Sequence, residues 1–125
     1  MSALKRLRGR PARTILGVIR LINGSFALLL PRRFTKMFGI DPEENGAAIY
    51  LLRLFGVRTV YIGLQLLTAD GEELDGAVRD APWIHASDTT AAAIAGLRGQ
   101  LPRRAAAAGF VASSLNTALA FLARE

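Results

Sequence analysis

Cysteine is absent from the chain, which excludes disulfides, thiolate metal centres and a cysteine nucleophile while leaving the compartment open. Histidine and tryptophan occur once each. One histidine with one nearby acid falls short of the three or four convergent ligands a metal site needs, and Glu43, Glu44, Glu72 and Glu73 lie in charged stretches expected to be solvated. Neither a metal nor a cofactor is therefore expected. Also missing are a nucleophile elbow, a phosphate-binding loop, a dinucleotide fingerprint and a paired-histidine zinc motif. Ser113 and Ser114 have no helical histidine within reach by spacing. No catalytic residue is assigned, and the balance falls against an enzyme.

Aromatic residues make up only 7% of the chain although hydrophobic residues make up 51%. The apolar content is thus mostly Ala, Leu, Ile and Val, a composition suited to helices packed closely through small side chains. No composition shift or long linker divides the 125 residues, so residues 1–125 read as a single helical membrane domain with a basic N-terminal segment over 1–13.

The charged fraction of 21% is high for so short a membrane protein and keeps a soluble helical bundle open. The charges are concentrated, however: Lys5, Arg6, Arg8, Arg10 and Arg13, then residues 31–45, 70–80 and 98–104, with four mostly apolar stretches between them. That is the outline of a polytopic membrane protein. The formal charge of +6 comes without an RNA-binding aromatic motif, zinc-finger spacing or helix-turn-helix pattern, and its N-terminal part abuts an apolar run. Anionic lipid headgroups, not nucleic acid, are the expected partner of that segment.

The first apolar run, Thr14 to Leu30, has Pro11 near its start and Pro31 as its stop. No small-residue cleavage motif follows it, so it is expected to be retained. It carries Arg20 and Asn23, which leaves two placements open, a crossing or an amphipathic helix in the interface. Residues 31–45 suggest an interfacial turn or short surface helix, with Asp41 before Pro42 as an N-cap signal for the next helix. That helix, about Glu43 to Thr68, suits a full crossing. Residues 70–80 read as a solvated connection, Pro82 as the restart of a third helix ending near Leu97, and Arg103 to Leu122 as a fourth. The expected fold is all-α, a small four-helix transmembrane bundle. With four spans the two sides carry nearly equal numbers of basic residues and orientation is undecided; an interfacial first helix would concentrate them on one face.

Residues three, four and seven apart share a helix face. Arg58, Tyr61 and Gln65 then form a polar stripe, with Arg53 a turn nearer the start, and Gly56, Thr59 and Gly63 form a small-residue stripe for close helix contact. His85 and Asp88 are neighbours on the third helix. Gly17, Arg20 and Gly24 line one face of the first helix, and Gly109, Ser113, Asn116 and Ala120 one face of the fourth. Because an unpaired charge in hydrocarbon is costly, Asp88 is expected to pair with Arg58 or Arg53, with His85 and Asn116 completing a polar network or ligand site. Such a network more often fixes helix register than catalyses a reaction. His85 beside Trp83 also fits a place at the membrane interface.

The run Arg53-Leu-Phe-Gly56-Val-Arg58-Thr-Val-Tyr-Ile-Gly63-Leu, followed by His85-Ala-Ser-Asp88 and by Gly96 before a short basic loop, resembles an uncharacterised family of small four-helix bacterial membrane proteins. The resemblance covers roughly residues 47–120; it implies a membrane bundle and brings no activity. In size the chain is also similar to the small multidrug exporters, four-helix proteins that work as dimers, but those depend on a carboxylate in the first helix, where this chain has Arg20 and no acid. The expected role is that of a multi-pass inner-membrane protein: a non-enzymatic accessory or structural subunit of a membrane complex, lipid handling included, or a homo-oligomer. The alternative is a membrane enzyme or binding protein for a hydrophobic small molecule that uses Arg58, His85 and Asp88.

Overall fold

The computed structural model describes residues 5–6 and 8–124; the rest of the basic segment lies outside the described residues. Five helices are given by the described residues, in order: α1 Arg10–Leu29, α2 Pro31–Met37, α3 Gly46–Thr68, α4 Gly71–Leu97 and α5 Arg103–Ala123. No strand occurs among the described residues. The expected count of four is corrected by α2. Pro31 occupies its first position, and Gly39 ends it in the left-handed region at φ 78° so that Ile40 N–H can donate back to the Thr35 carbonyl. Edge-to-face contact of Phe34 with Phe26, at 5.4 Å between ring centres, holds α2 against the end of α1.

Two further expectations are corrected. Asp41 does not cap α3: its side chain accepts from the Glu43 N–H inside the preceding turn, and α3 begins after Asn45 without a side-chain cap. Nor is 70–80 a connection. Asp70 stands extended at the cap position, and Glu72 and Glu73 occupy the first turn, where the positive end of the helix favours acids. Leu74, Ala77, Val78 and Ala81 then recur at helical spacing, and the last three pack on the core around Ala12 and Leu16 of α1. The helix therefore runs through Pro82, which is buried. Its ring leaves the Val78 carbonyl without the usual backbone donor, and packing holds the helix together across that gap.

The four long helices run up and down. The most extensive contact is between α1 and α3, next between α4 and α5, with α1 and α5 joining the pairs. A hydrogen bond from Gly9 N–H to the Leu122 carbonyl, 2.8 Å, fastens the start of α1 to the end of α5. Helices α1, α3 and α5 are long and apolar enough to cross a membrane. Helix α4 is not among them, because Glu72, Glu73, Asp75, Arg79 and Asp80 occupy the stretch before Pro82.

The distribution of side chains is the reverse of that in a water-soluble bundle. Among the described residues the buried hydrophobic ones are Leu16, Leu66, Leu119 and six alanines, accompanied inside by Arg20, Thr35, Thr59, His85, Ser113 and Asn116. The large apolar side chains point outward: Ile15, Val18 and Ile22 on α1, Leu51, Leu54, Phe55, Val57 and Leu64 on α3, and Phe110, Val111, Leu115 and Phe121 on α5. A core this poor in large side chains gains little from hydrophobic burial in water, at about 25 cal/mol per Å² of apolar surface.

Candidate functional site

Helices α1 and α3 approach so closely that their backbones touch through glycine. A Cβ added at Gly24 would lie 2.8 Å from Val60 N and 3.0 Å from Gly56 O, and one at Gly56 would lie 2.8 Å from Gly24 O. One turn group further along, a Cβ at Gly63 would lie 2.9 Å from Gly17 O, and one at Gly17 3.3 Å from Gly63 O. Gly17 thus faces Gly63, and Gly24 faces Gly56. In each helix the two glycines are seven residues apart, so the same face returns after two turns and the helices meet twice in antiparallel register.

Between these two contacts lie Arg20 on α1 and Thr59 on α3, only 5% and 1% exposed. Arg20 Nη2 donates to Thr59 Oγ1 at 3.3 Å, and its guanidinium carbon sits 5.8 Å from the centre of the Phe55 ring. Arg20 Nε is buried and has no partner. Sequence spacing had placed Arg20 on the glycine stripe but not in the polar network. The usable signal was its position three residues after Gly17 and four before Gly24, which forces it into any seam those glycines make.

A small cavity of about 30 Å³ opens beside it, lined by Arg20, Phe55, Arg58, Thr59, Ile62, Ile84 and Asp88. Asp88 is half-buried there and faces the same cavity as Arg20 and Arg58. Among the described residues no arginine lies within 4 Å of the Asp88 carboxylate; the ion pairs are Arg32 with Glu43 and Arg79 with Asp80. The charges therefore face one another across space of water size. Arg53 is exposed on α3 and is not a lining residue.

On the neighbouring pair, His85 is fully buried and Asn116 is 3% exposed. A Cβ added at Gly96 would lie 2.9 Å from the Ala106 Cβ and one at Gly109 3.5 Å from the Ala92 Cβ, a register that continues to His85 and Asn116 at matching height. Both His85 ring nitrogens and Asn116 Oδ1 are buried without a partner. Ser113 turns its hydroxyl back onto the Gly109 carbonyl of its own helix. Tyr61 and Gln65 stand apart: the Gln65 amide donates to Tyr61 Oη at 3.3 Å, and Tyr61 is exposed.

The site so built gathers Arg20, Arg58, Thr59 and Asp88 at one small cavity, with His85 and Asn116 behind them. Among the described residues no group of three histidine or acidic side chains converges to hold a metal ion. No protein-family model, no curated protein and no solved structure matches the chain. The geometry alone must carry the functional reading.

Proposed function

We propose that the protein is a multi-pass protein of the bacterial inner membrane, a non-enzymatic accessory or structural subunit that works within a larger membrane assembly or a homo-oligomer. The observation that carries this reading is the inverted distribution of side chains: Leu51, Leu54, Phe55, Val57 and Leu64 outside, Gly56, Thr59 and Gly63 inside. In water such a surface would drive association without specificity, whereas acyl chains solvate it at no cost. Small residues then supply what packing between helices requires in hydrocarbon.

The non-enzymatic part of the proposal is supported by the size of the central cavity. At about 30 Å³ it has room for roughly one or two waters and not for a substrate. A polar group set there fixes the rotation and depth of α1 against α3 and α4, since slippage would carry Arg20 or Asp88 into lipid. Use of Arg58, His85 and Asp88 to bind a hydrophobic small molecule would require these helices to separate.

Two measurements test the proposal. The chain is expected to remain with the membrane pellet after carbonate extraction, and recovery in the soluble fraction without detergent would overturn the membrane assignment. Purified in mild detergent from its own membranes, it is expected to run above monomer mass, with copies of itself or with another membrane protein. A lone monomer in that preparation would overturn the subunit reading.

A further inference from the structure

At the end of the bundle where α1 begins and α5 finishes lies a second, open cavity of about 370 Å³. Its rim holds Arg10 and Arg13 of α1, Arg79 of α4 and Arg124 after α5, with Asp75 as the one acid among the described residues that line it. Among the described residues that line it, four arginines against one aspartate leave a local charge of +3. Asp80, paired with Arg79 at 3.3 Å, reduces this to +2 when counted. The wall between them is apolar: Leu74, Val78 and Ala123. The volume falls within the range of about 300–1,000 Å³ usual for small-molecule sites.

Two further features of the lining arginines point to an anion. Arg10 and Arg13 occupy the first turn of α1, which contains no acid, although the positive end of a helix disfavours cations there. Arg13 Nε is also buried without a partner. The carbonyl end of α5 opposes an anion, and Arg124 lies at that end to offset it. An acceptor with several oxygens placed among these guanidinium groups would relieve their mutual repulsion, and arginine matches phosphate in forked, two-point geometry.

We infer that this cavity binds a phosphate-bearing ligand, specifically the headgroup of an anionic phospholipid. The inference rests on the membrane reading above, because α1, a helix fit to cross a membrane, starts at Arg10 and so sets the cavity at headgroup depth. It goes beyond attraction of a basic tail to a charged surface: three helices contribute to one site, with Leu74, Val78 and Ala123 as its apolar lining.

The test uses the full chain in nanodiscs that contain phosphatidylglycerol and phosphatidylcholine, with retained lipid measured by native mass spectrometry after release. The wild type is expected to keep phosphatidylglycerol in preference to phosphatidylcholine. R13Q/R79Q is expected to weaken that retention roughly tenfold, the effect of losing charge-assisted bonds to phosphate. R33Q/R103Q, which removes the same charge from exposed positions at the other end, is expected to retain the lipid. Equal loss in both variants would reduce the effect to general electrostatics and overturn the site. Displacement of the lipid by millimolar inorganic phosphate would assign the site to free phosphate and overturn the headgroup. Insertion into nanodiscs without selective retention sinks the site alone, and failure to insert sinks the membrane reading.

Discussion

Where α1 meets α3, glycine faces glycine and the backbones themselves are in contact; where α4 meets α5, Gly96 faces the methyl group of Ala106 and Gly109 that of Ala92. The first pair encloses Arg20, held by Thr59, and the second encloses two polar residues, His85 and Asn116, whose ring nitrogens and Oδ1 have no partner. The contrast shows two ways of packing helices without large core side chains. A backbone seam leaves no tolerance for added atoms, whereas the methyl-lined pair is uneven: a Cβ at Gly109 meets Ala92 at an ordinary 3.5 Å, and one at Gly96 is as tight against Ala106, at 2.9 Å, as those in the seam.

The largest expected effect tests that difference in tolerance. Gly56→Leu would push a side chain into Gly24 O and Leu28 N, both 2.8 Å from the added Cβ, and overpacking alone costs about 1–3 kcal/mol or more. Thermal unfolding in detergent should show at least that loss. Gly109→Ala, whose Cβ meets Ala92 at an ordinary 3.5 Å, should cost less than about 1 kcal/mol. Equal penalties for the two would erase the distinction between the seams.

Next in size is the charge enclosed at the glycine seam. Arg20→Leu or Asp88→Leu alone should destabilise by about 1–3 kcal/mol by leaving the other group without its counter-charge. The double variant should lose less than the sum of the two. A cycle that includes Arg58→Leu assigns the share of each arginine, while Arg53→Leu, at a residue that does not line the cavity, should move stability by no more than about 0.5 kcal/mol. Strict additivity in both cycles would show that Asp88 acts on neither Arg20 nor Arg58.

A smaller effect is expected inside the α4–α5 pair. Asn116→Leu removes a buried oxygen that makes no hydrogen bond, so stability should be unchanged or rise slightly. A loss above about 2 kcal/mol would mean that the carbonyl is bound by water or by His85 in the membrane. The smallest change concerns Tyr61 and Gln65, which bond only to each other on the outer surface of α3. Tyr61→Phe should shift stability by under about 0.5 kcal/mol, as read from the same unfolding curves.

The helical character of the chain and its long apolar runs were legible in the residues, because both follow from local composition and from charges gathered at the ends. The seven-residue spacing of Gly17 and Gly24, and of Gly56 and Gly63, was legible for the same reason: it is a property of one helix at a time. That these two stripes meet, and in antiparallel register, is a relation between helices, and only the tertiary structure decided it. Pro82 shows the limit from the other side. A proline usually opens a helix, so 70–80 read as a connection; packing of Ala77, Val78 and Ala81 against α1 supplied what the missing backbone bond withheld. Arg20 shows it again. Its side chain is long enough to reach a membrane surface or turn inward, and nothing along its own helix selects between them. The closeness of two glycine backbones on either side of it leaves the interior, beside Thr59 and Phe55, as the place where the guanidinium lies.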